Sequence, residues 1–92
     1  MMRRRILIVA EEPDISLAVE SILEGGGFKV DSFNDPLLAL KNFKASAYFL
    51  LFLDINMPKM NGFELYLEIK KIQSRVKLCF LTAMRIPRLS SI

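Results

Sequence analysis

The stretch Tyr48-Phe49-Leu50-Leu51-Phe52-Leu53-Asp54 decides the fold of this chain. Six apolar or aromatic residues without polar alternation are typical of a strand covered on both faces, as in a parallel sheet flanked by helices. Ligands bind beyond the carboxyl ends of the strands in such sheets. Asp54 ends this run and is therefore the first candidate for a functional residue, although a plain loop Asp can also begin a turn here.

Short apolar runs alternate with helical patterns along the chain. Pro13 is placed as in a first helical turn, and Gly25-Gly26-Gly27 is placed as a helix end. Asp35 before Pro36 is typical of a helix cap followed by a first turn. Strands are predicted at residues 6–9, 28–32, 48–54 and 76–81, and helices at about 13–25, 36–44 and 62–73. This series predicts an α/β fold with a doubly wound parallel sheet.

Length and composition indicate one small domain. The chain has 92 residues, and its hydrophobic content of 52% is too high for a disordered segment. No run approaches the roughly 18 apolar residues that span a bilayer, and the apolar stretch 6–10 is too short for a signal peptide. We therefore expect a cytoplasmic protein without a membrane partner. The single cysteine, Cys79, is expected to be a small buried apolar residue.

The net charge of +3 is modest and comes largely from arginines near the two ends. Neither arginine cluster is interleaved with aromatic residues, and no recognition helix is evident, so no nucleic-acid partner is predicted. The third predicted helix instead carries more apolar residues than one sheet can cover, so part of its surface is expected to be shielded by loops or by another chain.

The loop after the third predicted strand reads Asp54-Ile55-Asn56-Met57-Pro58-Lys59-Met60-Asn61-Gly62-Phe63-Glu64-Leu65. It closely resembles the phosphoacceptor loop of response-regulator receiver domains (CheY-like), in which an Asp takes phosphate from a histidine kinase. The first strand with its acidic loop, the second strand, and Leu81-Thr82-Ala83 match in the same order. The resemblance covers about residues 5–83. We therefore expect a single domain over residues 1–92, in which residues 84–92 form a basic tail.

The resemblance implies a flavodoxin-like sheet with strand order 2-1-3-4. It also implies that Asp54 is the phosphoacceptor and that Thr82 hydrogen-bonds the bound phosphoryl group. A magnesium ion would be held by Glu11, Asp54 and the backbone carbonyl of Asn56, with Glu12 as a substitute ligand. Oxygen ligands of this kind suit a hard divalent cation, which offsets the charge of an anionic donor and an anionic nucleophile.

Two departures from the family pattern predict impaired activity. Ala10 stands where receivers usually carry a carboxylate, and Glu11 is one methylene longer than the usual second one, so magnesium binding is expected to be weakened. The sequence after Ala83 matches neither the last strand and helices of a receiver nor its lysine, which would pair with the acyl phosphate. The fourth strand then becomes an apolar edge, which predicts a homodimer that buries this strand or the first helix.

Three functions remain compatible with these residues. The first is a phosphoacceptor module of a two-component system, which receives its phosphoryl group from a histidine kinase or a phosphotransfer protein. Such a module is not an enzyme and shows at most weak self-catalysed phosphoryl transfer. The second is a pseudo-receiver that acts by protein contact without phosphorylation. The third is a phosphatase-like hydrolase, which the Asn at position 56 disfavours because such enzymes carry a second Asp there.

Overall fold

The computed structural model describes residues 5–81. Within this range, four parallel strands form a sheet in the order β2-β1-β3-β4, which confirms the predicted strand order and the doubly wound α/β class. Residues 82–92, which include the predicted basic tail, lie outside the described residues. The elements are β1 (Arg5–Val9), α1 (Pro13–Gly25), β2 (Lys29–Phe33), α2 (Pro36–Asn42), β3 (Leu50–Asp54), α3 (Gly62–Ile72) and β4 (Leu78–Leu81).

The strand register brings the carboxyl ends of the strands to one edge of the sheet. Val9 of β1 lies opposite Leu53 of β3, and Asp54 lies opposite Leu81 of β4. Successive side chains of a strand point to opposite faces, so this register also assigns each residue to a face. The edge that carries Asp54 therefore lies between the end of β1 and the end of β4.

The core lies on both faces of the sheet. On one face, Leu7, Val9, Leu51 and Leu53 pack against residues of α2 and α3, including the fully buried Leu65 and Ile69. On the other face, Ile6, Ile8 and Ala10 pack against Val19 and Leu23 of α1. Helices on opposite faces of a parallel sheet are the arrangement that the alternating sequence pattern predicts.

The α1 face is covered less completely than the sequence predicts. Leu51 and Leu53 are fully buried, but Phe52, which points to the α1 face, is only half-buried. Cys79, its register partner on β4, is exposed, so the expected burial of this cysteine is wrong. The reason is that α1 packs on β1 and β2, and no second helix among residues 5–81 lies over β3 and β4 on that face.

The helix ends follow the predicted capping signals. Gly26 caps α1, and Gly27 has a φ of 94°, which favours glycine. Asp35 caps α2, since its Oδ1 accepts a hydrogen bond of 2.9 Å from the backbone N of Leu37. Helix α2 ends at Asn42, two residues before the predicted end, because the backbone of Phe43 is already extended.

Helix α3 exposes part of its apolar surface, as its sequence predicts. Leu65 and Ile69 are buried, whereas Phe63 is 51% and Leu67 58% exposed. The ring of Phe63 still contacts that of Phe80 on β4, with 4.6 Å between the ring centroids. Among the described helices, none is long and apolar enough to cross a membrane.

Candidate functional site

Asp54 is the last residue of β3 and is 2% exposed. Its Oδ1 accepts a hydrogen bond of 3.1 Å from the backbone N of Asn56, and this is the one hydrogen bond to the carboxylate from residues 5–81. The carboxylate thus has one oxygen fixed by the amide of the following loop, and its second oxygen accepts no hydrogen bond from residues 5–81. The structure thus places Asp54 where the sequence predicts it, at the carboxyl edge of the sheet.

The first turn of α3 lies directly against the backbone of Asp54. The N of Gly62 donates a hydrogen bond of 3.0 Å to the carbonyl of Ile55. A Cβ atom at residue 62 would stand 2.5 Å from the carbonyl oxygen of Asp54, a separation that real Cβ atoms do not show. Only glycine therefore permits this approach of helix and strand.

A capping box fixes the beginning of α3. Asn61 Oδ1 accepts a hydrogen bond of 2.9 Å from the N of Glu64, and Glu64 Oε1 accepts one of 2.9 Å from the N of Asn61. The loop from Asp54 to Gly62 is thereby held at both ends, by the sheet and by the helix cap.

The predicted metal ligands lie at the same edge of the sheet but do not form a closed site. Ala10, fully buried at the end of β1, donates its N–H to the carbonyl of Phe33 at 3.0 Å. Glu11 and Glu12 follow it and are exposed, and the side chain of Glu12 makes no capping hydrogen bond to α1. Within residues 5–81, no group of three or more acidic, His or Cys residues is arranged to hold a metal ion.

The residues present nonetheless have the donor chemistry that Mg²⁺ prefers. Magnesium commonly keeps several waters and binds through one or two carboxylates, and Glu11, Asp54 and the Asn56 carbonyl carry oxygen atoms of this kind. The buried carboxylate of Asp54 is the one donor already fixed by a hydrogen bond. The assignments of Glu11, Asp54, Asn56 and Glu12 as metal ligands, and of Asp54 as the phosphoacceptor, stay predictions.

Thr82 lies outside the described residues. It directly follows Leu81, whose carbonyl accepts a hydrogen bond of 3.1 Å from the N of Ile55. Its role as the phosphoryl-binding residue stays a prediction.

Two residues after β2, Asn34 and Asp35, contact the site loops, and the sequence did not indicate these contacts. Asn34 Nδ2 donates to the carbonyl of Ala10 at 2.8 Å, and Asp35 forms an ion pair with Lys59 of the acceptor loop at 3.4 Å. The pKa of Asp35 is lowered, first by its hydrogen bond from the Leu37 backbone and also by Lys59. Both contacts join residues 24 positions apart, so no local pattern could reveal them.

A polar cluster lies at the opposite end of the sheet from Asp54. Arg5 Nη1 and the Tyr48 hydroxyl both donate to Asp31, at 3.0 and 2.8 Å. Burial, and then the hydrogen bond to Asp31, raises the pKa of Tyr48 to about 12. Arg5 and Asp31 form an ion pair near the amino ends of the strands, whereas sheets of this type bind ligands at the carboxyl ends.

An open cavity of about 390 Å³ adjoins this cluster. It is lined by Arg5, Asp31, Asn42, Lys44, Ala47 and Tyr48.

The fold and the site define a flavodoxin-like α/β domain with a buried Asp at the carboxyl edge of its sheet. The family model described as the response regulator receiver domain matches residues 6–88. This chain therefore belongs to the response regulator receiver domain family, as its sequence resemblance predicts.

Individual proteins support the same conclusion. The transcriptional regulatory protein CpxR homolog of Haemophilus influenzae is 38% identical over 79 residues, which span 86% of this chain and 34% of that protein. The solved structure of the response regulator TrrA from Thermotoga maritima in complex with Mg²⁺-BeF is 36% identical, with a TM-score of 0.81, covering 94% of this chain and 75% of that one. TrrA in complex with the histidine kinase ThkA matches with 36% identity and a TM-score of 0.79, over 92% and 73% of the two chains. This chain thus spans about a third of the length of the CpxR homolog.

Proposed function

We propose that this chain is a phosphoacceptor module of a two-component system, in which Asp54 accepts a phosphoryl group from a histidine kinase or a phosphotransfer protein. The observation that carries the proposal is the geometry of Asp54, a 2% exposed carboxylate at the end of β3 with Oδ1 held by the N–H of Asn56. Family membership and the Mg²⁺-BeF complex of TrrA support it.

The chemistry assigns different tasks to the two oxygens of Asp54. Oδ1 accepts the hydrogen bond from Asn56, which fixes the plane of the carboxylate and leaves Oδ2 to attack phosphorus. A bond forms between Oδ2 and phosphorus while the bond from phosphorus to the donor's imidazole nitrogen breaks, and the product is an acyl phosphate. Correct placement of the nucleophile is the contribution that a protein makes most directly to such a transfer.

The remaining requirement is to offset negative charge. Asp54 and the donor are both anionic, and a Mg²⁺ ion held by Glu11, Asp54 and the Asn56 carbonyl would supply positive charge there, with Glu12 as a substitute ligand. Because Ala10 offers no side-chain oxygen, this chain has fewer ligands to give than the family pattern provides. We therefore expect slow, strongly magnesium-dependent phosphorylation, with no catalytic turnover of a substrate.

The pseudo-receiver is the second candidate, and the missing acidic cluster favours it. Among residues 5–81, Glu11 and Glu12 are exposed and form no three-residue metal group with Asp54. A domain of this kind would keep the fold and act through its surface alone.

One assay separates the two candidates. The protein is incubated with Mg²⁺ and acetyl phosphate, and its intact mass is measured over time. Addition of one phosphoryl group that is lost in Asp54→Asn and kept in the control Asp14→Asn, an exposed residue of α1, supports the phosphoacceptor. No adduct at high donor concentration supports the pseudo-receiver, and repeated release of acetate without a lasting adduct supports a hydrolase.

A homodimer is part of the proposal. Phe52, Cys79 and Leu81 share the α1 face of the sheet and form the β3–β4 strip, which is half-buried to exposed. A second copy presents the same apolar strip, so two copies can cover one another around a twofold axis. Light scattering after size-exclusion chromatography tests this, and a single monomeric species at high protein concentration would refute it.

A further inference from the structure

Asn34 connects the end of β1 to the beginning of α1. It follows β2 directly, and its Nδ2 donates hydrogen bonds to the Ala10 carbonyl at 2.8 Å and to the Ser16 hydroxyl at 3.2 Å. Although Asn34 as a whole is largely exposed, both of these bonds are partly buried. The side-chain amide thus uses both of its N–H donors on the segment that leads from β1 into α1.

Ser16 extends this connection into the first turn of α1. It is 3% exposed, and its hydroxyl lies 3.1 Å from the Pro13 carbonyl and 3.4 Å from the Glu12 carbonyl, toward which it donates. The Ala10 N–H is already bonded to Phe33. The backbone on both sides of Glu11 is therefore held, on one side by Asn34 and Phe33 and on the other by Ser16.

The Glu11 side chain has no such support. It is exposed, and no hydrogen bond or ion pair joins it to the rest of the described chain. A Glu side chain is long and loses rotamer entropy when it is ordered, so its approach to a ligand depends on where the backbone places its Cα. Ala10, the preceding residue, has no oxygen with which to share this task.

We infer that Asn34 is a positioning residue, which fixes the segment from Ala10 to Pro13 so that the Glu11 carboxylate faces Asp54 across the carboxyl edge of the sheet. This inference rests on the proposed phosphoacceptor function. Groups that orient a metal ligand without touching the metal typically change metal affinity by about 10–100-fold when they are removed. Asn34 acts on Glu11 through the backbone of Ala10, whose carbonyl accepts its hydrogen bond.

The neighbouring Asp35 makes a weaker connection on the other side of the site. Its ion pair with Lys59 joins side chains that are 39% and 60% exposed, at 3.4 Å. Exposed pairs of this kind contribute little. The partly buried bond of Asn34 to Ala10 is therefore the stronger of these two connections.

The experiment compares Asn34→Ala with Asn42→Ala. Asn42 is a matched control, because its Nδ2 also donates a 2.8 Å hydrogen bond to a backbone carbonyl, that of Leu38, but lies within α2. Adduct formation from acetyl phosphate is followed as a function of Mg²⁺ concentration. We expect Asn34→Ala to need about tenfold more Mg²⁺ for half-maximal rate, with a near-normal rate at saturation, and Asn42→Ala to behave as wild type.

Two further measurements keep the result interpretable. Mg²⁺ titrations followed by the amide resonances of Glu11 and Asn56 report binding without phosphorylation. Asn34→Gln keeps the donor group and is expected to recover part of the affinity, which a change caused by general loss of stability would not do. Urea unfolding identifies a variant that does not fold, in which case Asn34→Gln alone decides the comparison.

The outcomes distinguish this inference from the proposed function. If wild type reacts and the Mg²⁺ dependence of the Asn34 variants equals that of wild type, the positioning role is wrong and the phosphoacceptor function stands. If wild type neither binds Mg²⁺ nor takes up a phosphoryl group, the phosphoacceptor function and the positioning role of Asn34 are both wrong, because there is then no metal site to position. A selective loss of Mg²⁺ affinity in Asn34→Ala supports both.

Discussion

Gly62 lies so close to Asp54 that a Cβ atom at residue 62 would stand 2.5 Å from the Asp54 carbonyl oxygen and 3.0 Å from its carbonyl carbon. Both groups that would collide with it belong to backbone, which cannot rotate away as a side chain does. The residue type at position 62 therefore sets how α3 sits against the end of β3.

Replacing Gly62 is expected to destabilise the domain. Gly62→Ala should lower the free energy of unfolding by about 1–3 kcal/mol, even though Ala is the better helix former, because strand and helix must separate. Gly25→Ala in α1 is the matched control, since a Cβ there meets nothing within 4 Å, and it should be neutral or stabilising by up to about 1 kcal/mol. Urea unfolding measures both, and equal effects of the two substitutions would contradict the close contact.

The Tyr48 hydroxyl is expected to lose its proton at a higher pH than an ordinary tyrosine. Its pKa is raised to about 12 by burial and by Asp31, so absorbance of tyrosinate should show a step near that pH that disappears in Tyr48→Phe. A raised pKa means that the folded state favours the neutral hydroxyl. The stabilisation is therefore complete below pH of about 10, the ordinary tyrosine value, and is lost as the pH rises through about 12.

The same group makes a prediction for stability at alkaline pH. Between pH of about 10 and 12, wild type should lose more unfolding free energy than Tyr48→Phe does. Asp31→Asn should move the Tyr48 step toward lower pH, because it removes the anion that accepts the Tyr48 hydrogen bond. An unchanged step in Asp31→Asn would show that burial alone raises this pKa.

Asp35 should matter more as a helix cap than as an ion pair. The hydrogen bond from Leu37 is the largest cause of its lowered pKa, and Lys59 is a smaller one. Asp35→Ala should therefore lower the urea midpoint more than Asp35→Asn, since Asn also caps helices. A lowered pKa means that this stabilisation is present above the ordinary carboxyl pKa of 3.8 and is lost as the pH falls through the folded value, so Asp35→Asn should lose less stability in acid.

Cys79 should react with thiol reagents in the native state, because it is exposed on β4. The labelling rate is measured at several protein concentrations under native conditions. Rapid labelling that slows as the concentration rises is expected if a second copy covers the β3–β4 strip. Labelling that requires unfolding at every concentration would contradict the exposed placement.

Much of the fold could be predicted because the decisive signals are local. The apolar run before Asp54, the proline in the first turn of α1 and the Asp35 cap each act within a few residues. The structure confirms the proline and the cap, and it confirms the strand from Leu50 to Asp54 but not its full cover on both faces. The burial of Cys79 was predicted wrongly for the opposite reason. Whether a strand residue is covered depends on which helices lie over each face, and the apolar sequence around Cys79 carries no information about that.

The residues of the candidate site also differ in whether local sequence reveals them. Asp54 could be found from the strand before it and the loop after it, both of which are continuous in sequence. Asn34 could not, because its partner Ala10 is 24 residues away and its own neighbours predict only a turn before α2. Contacts between loops from different strands depend on the assembled sheet, which the sequence pattern specifies only in outline.

The contact at Gly62 has a mechanical consequence. Backbone meets backbone there, with no side chain between them to change rotamer, and densely packed groups of this kind transmit displacement instead of absorbing it. We therefore expect the end of β3 and the first turn of α3 to move together. On this expectation, a shift of the Asp54 backbone would reach the next residue of the helix, Phe63, whose side chain is half exposed at the surface.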